Sequence, residues 1–437
     1  MPNAKQWLDL THNNGMSLGL ANTHAMIERM NLDFSNMKVI HVAGSNGKGT
    51  ACSLMAASLT LSGVSNLMFT SPHVSRIEER FRLNGVPISQ ELFDSMLEDI
   101  YEISQNKEDQ ESIVLTFFEV TFLIGVLCAV RTNVEIMIVE TGLGGRLDAT
   151  RCVPADACLL TSISCEHTNI LGETLGEVAA EKAAIARPNK PIIVRDMGDE
   201  SFRESVLFQC QNAGDESIGE RKEPAIPFFV QIPTNCNVKD EAELLVKKLF
   251  ELINLPLQDL VDAKNLVKWP ARMHFIEEKS NLFLLDAAHN PSGLERVLPE
   301  LIDNIKNLSP MVDNKSIWTL IFGTSPQKEL DEMLDYVSQL CSSIPPIRIY
   351  LTKPLGGRYP GVDTELLARH EWQIKDVQQF ENAENILEIL LQKDPSYNGL
   401  IVSIGSLYLQ GNILKNLGLD SDEELSILPK QSYISDM

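Results

Sequence analysis

From residue 37 to about 195, short runs of β-branched and aliphatic residues alternate with helical patterns. The runs are MKVIHVAG (37–44), SNLMFT (65–70), VEIMIVET (134–141), ACLLTSIS (157–164) and PIIV (191–194). Antiparallel neighbours need only a tight turn, whereas parallel strands need a crossover long enough to hold a helix, so this alternation predicts a parallel α/β sheet. The pattern weakens over 196–268, where a polar stretch, GDESIGERKEP, precedes one clear helix, DEAELLVKKLFELI. It resumes after WPARM (269–273) with NLFLLDAAH, SIWTLIFG, IRIYLTK and GLIVSIGS, separated by helical segments such as KELDEMLDYVSQL and AENILEILLQ. At 437 residues the chain exceeds one ordinary core. We therefore expect two α/β domains, 1–268 and a smaller one over 269–437, with a linker around 266–273. The acidic C-terminal stretch DSDEELSILPKQSYISDM is expected to fray.

Net charge narrows the function classes. With 37 basic against 60 acidic residues the balance is −23, which argues against coating nucleic acid or an anionic membrane. An anionic ligand must then be held by a local arrangement. The eight cysteines show no C-x-x-C pair and read as free, mostly buried thiols of a reducing compartment. The start, MPNAKQWLDLTHNNG, lacks a cationic-then-apolar targeting design, and the longest apolar run, VLTFFEVTFLIGVLCAV (114–130), carries Glu119 and is too short for a bilayer span. A soluble, cytoplasmic protein with a buried helix at that position is expected.

Ligands of open parallel sheets bind off the carboxyl ends of the strands. Four strands of the first domain end in polar residues: Gly44-Ser-Asn-Gly-Lys-Gly-Thr50, Thr70-Ser-Pro-His73, Glu140 followed by TGLGGRLD to Asp148, and Cys165-Glu-His167. A lysine, a hydroxyl, a carboxylate and an imidazole gathered there read as one site. The first segment departs from the standard G-x-x-x-x-G-K-[ST] loop, because Val42 stands at the first glycine and the hydroxyl arrives one place late, at Thr50. Three glycines in a short span between strand and helix still suit a nest of backbone N–H groups, with Lys48 neutralising β- and γ-phosphate oxygens. The first domain thus reads as a P-loop-type ATPase sheet and the second as Rossmann-like.

Glu140 ends an apolar strand, where a carboxylate is costly unless paired or bound to metal. With Ser71 and phosphate oxygens it would suit Mg²⁺, a hard cation. Lys182 lies in a helical pattern rich in small residues and, on the residues alone, reads as a snorkelling or paired side chain. In the second domain, Asp286 and His289 close a strand and Pro291 opens a helix, an arrangement that suits either a capped turn or a nucleotide edge.

Together the motifs GSNGKGT, TSPHVSRIEERFRLNG, VETGLGGRLDAT, SCEHTNILGETLGEVAAEKAAI, WPARM, LLDAAHNPSG and IGSLYLQG resemble, in order, those of the folylpolyglutamate synthase and dihydrofolate synthase family of the Mur ligase superfamily, bacterial type. That family's phosphate loop carries its hydroxyl in the displaced position, so the resemblance assigns Gly44, Ser45, Asn46, Gly47, Lys48, Gly49 and Thr50 to ATP. It further implies a first Mg²⁺ on Ser71 and Glu140, and a second on His167 and Lys182, the lysine carbamylated by CO₂ into an anionic oxygen donor. Asp148 would face the pterin, and Arg272, Asp286 and His289 the nucleotide. Lys48, His167 and Lys182 would be the catalytic set.

The implied reaction is ATP-dependent ligation of L-glutamate to the carboxylate of dihydropteroate or of a folate, through an acyl phosphate, by a monomeric enzyme of folate biosynthesis. Two readings compete: a Mur-type ligase acting on a cell-wall precursor, and a catalytically silent nucleotide-binding relative. Arg151 stands where the family has Asn, WPAR replaces W-P-G-R, and Gln327-Lys328-Glu329 replaces a D-K-D-like segment. The family's H-Q-x-x-N-A segment on the adenine side has only a degenerate counterpart in Gln231 and Asn235 or Asn237.

Overall fold

The computed structural model describes residues 3–15, 19–105, 112–234, 236–357, 360–392 and 398–429. The chain forms two compact units. The first comprises the residues up to His73, Ile77–Val267 and those from Ser426 on; the second comprises Val74–Arg76 and Lys268–Leu425.

The first unit is built on one sheet of β1 (Lys38–Ala43), β2 (Asn66–Phe69), β3 (Phe81–Leu83), β4 (Val86–Pro87), β5 (Ile136–Glu140), β6 (Ala157–Leu160), β7 (Pro191–Arg195) and β8 (Ile226–Val230), in the order β4-β3-β2-β5-β1-β6-β7-β8. The strands from β2 to β8 in that order run parallel, and β3 and β4 add an antiparallel edge. All five runs read from the sequence are strands of this sheet. The chain leaves β1 toward β2 on one side and reaches β6 on the other, so the carboxyl end of β1 is a switch point where loops diverge.

The helix Lys48–Leu61 follows β1. Its small residues, among them Ala51, Cys52, Ser53, Ala56 and Ala57, are buried all round and let it pack against the helices Val238–Ile253 and Leu260–Leu266. The apolar run over 114–130 forms the buried helix Phe117–Arg131. The carboxylate in that run is placed where it is useful: Glu119 accepts the amide and hydroxyl of Thr116, each at 2.8 Å, and so closes a capping box at the helix start. Among the described residues no helix is long and apolar enough to cross a membrane.

The stretch 196–268 is more regular than its sequence suggests, with a helix at Glu200–Gln211, the edge strand β8 and two further helices. The polar segment between them is anchored from within. Glu220 pairs with Arg151 at 2.9 Å and with Arg187 at 3.1 Å, both guanidiniums being buried. Arg151, one of the departures from the family pattern, thus has a structural partner. Burial brings the Arg187 pKa down to about 10.

The second unit holds β9 (His274–Glu278), β10 (Asn281–Leu285), the small hairpin β11 (Met311–Val312) and β12 (Lys315–Ser316), then β13 (Trp318–Phe322), β14 (Arg348–Leu351), β15 (Val377–Gln379) and β16 (Leu400–Ile404). Its sheet has the order β15-β14-β13-β16-β10-β9, parallel except for β9. Alternate residues feed two cores: Leu284, Leu320 and Val402 on one face, Phe283, Ile321 and Ile401 on the other. Both faces are therefore covered, as a parallel sheet requires.

The C-terminal stretch corrects one expectation. It does not fray at its start: Asp422–Leu425 is a short helix, Ile427 and Leu428 are buried, and the Ile427 amide donates to the Gly85 carbonyl at 3.0 Å. The apolar residues of this acidic segment outweigh its charge. Residues 430–437 lie outside the described residues. All eight cysteines are free thiols, six of them buried, with Cys236 half-buried and Cys165 exposed.

Candidate active site

The glycine loop leaves β1 at Ala43 through Gly44, whose φ is +151°. A Cβ there would lie 1.9 Å from Thr161 Oγ1, so only glycine passes. The loop is tied to the segment after β6: the Ser45 amide donates to the Ser162 carbonyl at 2.7 Å, and the Asn46 carbonyl accepts the hydroxyls of Thr161 at 2.8 Å and Ser162 at 3.0 Å. Gly47, with φ +87°, begins the helix Lys48–Leu61, and no side chain caps that helix start. Gly49 and the buried Thr50 lie in its first turn. The Lys48 ammonium folds back onto the loop, donating to the carbonyls of Gly44 at 2.9 Å and Ser45 at 3.2 Å. The result is a backbone cradle with a helix N-terminus as its floor.

Beside it, Glu140 ends β5 with 6% exposure and accepts the Ser71 amide at 3.2 Å. The Ser71–Pro72 peptide is cis. Two of the residues expected to share a metal are thus adjacent. Among the described residues no three His, Cys, Asp or Glu side chains cluster as a ready metal cage. The donors on offer are a hydroxyl and a carboxylate, which fit a hard cation that also takes phosphate and water oxygens.

The turn after β5 is organised by Asp148. One of its oxygens accepts the amides of Gly142 at 2.9 Å and Leu143 at 2.8 Å; the other accepts the Thr150 amide at 3.0 Å and the Thr150 hydroxyl. Burial pushes the Asp148 pKa up, against the pull of these bonds. A carboxylate has about four acceptor sites, so four donors from its own loop fill it. Asp148, expected to face the pterin, holds its own turn through these bonds. The ring of Phe118 lies over Gly142, where a Cβ would come within 2.6 Å of it. Gly145 packs as closely on the carbonyls of Glu181 and Lys182, and Arg146 pairs with Glu181 at 2.7 Å, docking the turn on the end of the helix Leu175–Ala183.

Lys182, 2% exposed, donates to the Gly44 carbonyl and to Glu166, both at 3.0 Å. Burial lowers its pKa, opposed by Glu166. Burial also pushes the Glu166 carboxyl up, but Lys182 and Lys48 outweigh it and hold the group below its ordinary range. His167 is exposed, with φ +50°, at the start of the short helix Thr168–Leu171, and no hydrogen bond joins it to Lys182. The site therefore brings together Lys48, Ser71, Glu140 and Lys182, with His167 next in the chain to Glu166, the partner of Lys182. Glu166 and the Thr161–Ser162 pair were missed by the sequence reading. The only signal for Glu166 is its place beside His167 at a strand end.

In the second unit, Asp286 and His289, both expected at the nucleotide, make hydrogen bonds to nearby backbone groups. Asp286, buried, accepts the amides of Met273 at 2.9 Å and Ala288 at 2.8 Å; burial raises its pKa, opposed by Arg272. His289 is exposed, with Nδ1 2.8 Å from the Ala287 carbonyl. Asn290 caps the helix Pro291–Leu308. In the first unit, Asn237 caps the helix Val238–Ile253 by accepting the Asp240 amide at 2.8 Å; Gln231 is exposed and Asn235 lies outside the described residues.

Comparison with known proteins decides the family. No protein-family model matches the chain. The dihydrofolate synthase/folylpolyglutamate synthase of Escherichia coli is 36% identical over 307 residues, 66% of this chain and 69% of that protein. The chain belongs to the dihydrofolate synthase/folylpolyglutamate synthase family. The Bacillus subtilis member is 25% identical over 95% of this chain and 98% of its own length. Among solved structures, E. coli FolC in complex with DHPP and ADP matches with a TM-score of 0.77 at 22% identity, covering 96% of this chain and 99% of that one. A bifunctional folylpolyglutamate synthase/dihydrofolate synthase with Mn, AMPPNP and L-glutamate bound matches at 0.74 and 24% identity, covering 96% and 100%. The structural likeness is one of fold; the family rests on the sequence. Like its relatives, this synthase-family chain is an ATP-dependent ligase of folate metabolism.

Proposed function

We propose that the first unit drives the ligation at the glycine cradle, and that Lys48 is its principal charge. The observation that carries this reading is the uncapped start of the helix Lys48–Leu61 behind a loop that only glycine can thread, with the Lys48 ammonium folded over it. Phosphate oxygens would replace the Gly44 and Ser45 carbonyls as partners of Lys48. The pterin carboxylate attacks the γ-phosphorus and ADP leaves; the glutamate amine then attacks the acyl carbon and inorganic phosphate leaves. The protein's part in both steps is positioning and charge neutralisation.

A divalent cation would be held by Ser71 and Glu140, in keeping with the Mn and AMPPNP of the solved bifunctional relative. When bound, it offsets phosphate charge. Lys182 is buried and held by Glu166 as a cation, so it serves as a metal ligand only after leaving that ion pair and taking up CO₂ as a carbamate; His167 would complete that second site. The turn held by Asp148, with Phe118 against it, is the acceptor side, where a pterin would exchange for one of the internal donors of Asp148. The enzyme acts as a monomer on dihydropteroate or a reduced folate, with L-glutamate and ATP.

The test is an acceptor panel: ATP-dependent incorporation of labelled glutamate into dihydropteroate, tetrahydrofolate and a cell-wall nucleotide precursor. Incorporation into either pterin acceptor and none into the third is expected. Turnover of the cell-wall precursor alone overturns the reading.

A further inference from the structure

We propose that His41 is a positioning residue of this ligase: through Thr150 it holds Asp148, and through Asp148 the Gly142–Leu143 turn on the acceptor side. The proposal rests on the reading of that turn as the acceptor side. Side chains alternate along β1, and the neighbours of His41 on its face, Val39 and Ala43, belong to the apolar core of the first unit. An imidazole with 0% exposure is foreign to such a face. It keeps one bond and lacks another: Nε2 lies 2.8 Å from Thr150 Oγ1, while Nδ1 has no hydrogen-bond partner.

The direction of that bond follows from counting hydrogens. Thr150 has a single hydroxyl hydrogen. Its neighbour Asp148 already accepts three backbone amides, so the carboxylate is an acceptor here as well and takes that hydrogen. Thr150 Oγ1 must then accept from His41, which fixes the ring as the Nε2–H tautomer and leaves Nδ1 bare, in agreement with its lack of a partner. Burial, with Arg187 and Arg151 adding to it, keeps the ring neutral. The bonds therefore run one way, from the strand that carries the glycine cradle to the turn that closes the acceptor side. A leucine would fill the same space without an orphaned nitrogen; what the imidazole adds is the hydrogen bond that orients Thr150.

The experiment uses the full chain with His41→Leu, His41→Gln, Thr150→Val and Asp148→Ala. It reads amide hydrogen exchange at Gly142 and Leu143 without substrates, and KM for dihydropteroate and for ATP. His41→Leu and Thr150→Val are expected to speed exchange at both amides and to raise the dihydropteroate KM by about tenfold, the scale of one lost hydrogen bond, with the ATP KM within about twofold. His41→Gln, whose amide nitrogen replaces Nε2, should stay near wild type, and a variant combining His41→Leu with Thr150→Val should be no worse than either alone. Unchanged exchange in Thr150→Val overturns the relay even if His41→Leu does not fold, and so does His41→Gln as damaged as His41→Leu, which would make the role one of packing. Faster exchange in His41→Leu and Thr150→Val with a normal dihydropteroate KM in Asp148→Ala removes the acceptor-side reading of the turn and leaves the relay standing.

Discussion

Two junctions of this chain have the same outline and opposite chemistry. After β1 and after β10, a parallel strand runs into a polar loop and then a long helix. After β10 the chain answers its own polar groups: Asp286 accepts two amides, Asn290 caps the helix by accepting the Gly293 amide at 2.7 Å, and Pro291 occupies the first turn, where its missing N–H costs nothing. After β1 no side chain caps the helix, the loop passes through left-handed glycines, and a lysine lies across it. The comparison teaches that polar residues at a strand end do not by themselves make a ligand site. What differs is whether the backbone N–H groups at the helix start are already answered by a side chain.

The largest effect is expected at the open junction. Lys48→Ala should lower kcat by about 10²–10³-fold or more, the scale of removing one preorganised donor to developing charge. Its melting temperature should stay unchanged, because the side chain bonds only to loop carbonyls. Phosphate release and a thermal melt on the same sample check both halves. Gly44→Ala should cost stability as well as activity, about 1–3 kcal/mol, since the new Cβ meets Thr161 and the backbone is left strained. A folded, fully active Gly44→Ala protein would mean that the loop is not threaded as described. The smallest effect belongs to the closed junction: Asn290→Ala should lose about 1 kcal/mol of stability from its cap while kcat and the ATP KM hold. If instead it abolished nucleotide turnover, the contrast between the junctions would collapse.

The same contrast explains what was legible in the sequence. Five strands of the first sheet stand out because a parallel strand buried on both faces is a continuous apolar run, and the apolar run around Glu119 reads as the buried helix it forms. The short β3 and β4, at three and two residues, carry no periodicity, and β8 holds Pro227, which only an edge strand accommodates. Gly44, Lys48, Ser71, Glu140 and Lys182 were readable as strand-end or motif residues. The partners that give them meaning were not. Glu166 reaches Lys182 across sixteen positions, Thr161 reaches the Asn46 carbonyl across 115, and the donors that fill Asp148 are mostly backbone amides, which leave no mark in a sequence. The polar GDESIGERKEP stretch misled for the same reason, since Glu220 is held by Arg151 and Arg187 from far away in the chain.

The central claim is that the cradle after β1 activates an acceptor carboxylate by phosphoryl transfer. It is tested most directly by supplying dihydropteroate labelled with ¹⁸O in its carboxylate, together with ATP, Mg²⁺ and L-glutamate, and analysing the inorganic phosphate by mass spectrometry. If the carboxylate oxygen attacks the γ-phosphorus and phosphate is then displaced by the amine, one ¹⁸O per turnover appears in phosphate, and label and product fall together by the same large factor with Lys48→Ala. Glutamylated product accompanied by unlabelled phosphate, or made at an undiminished rate by the folded Lys48→Ala protein, would contradict the account.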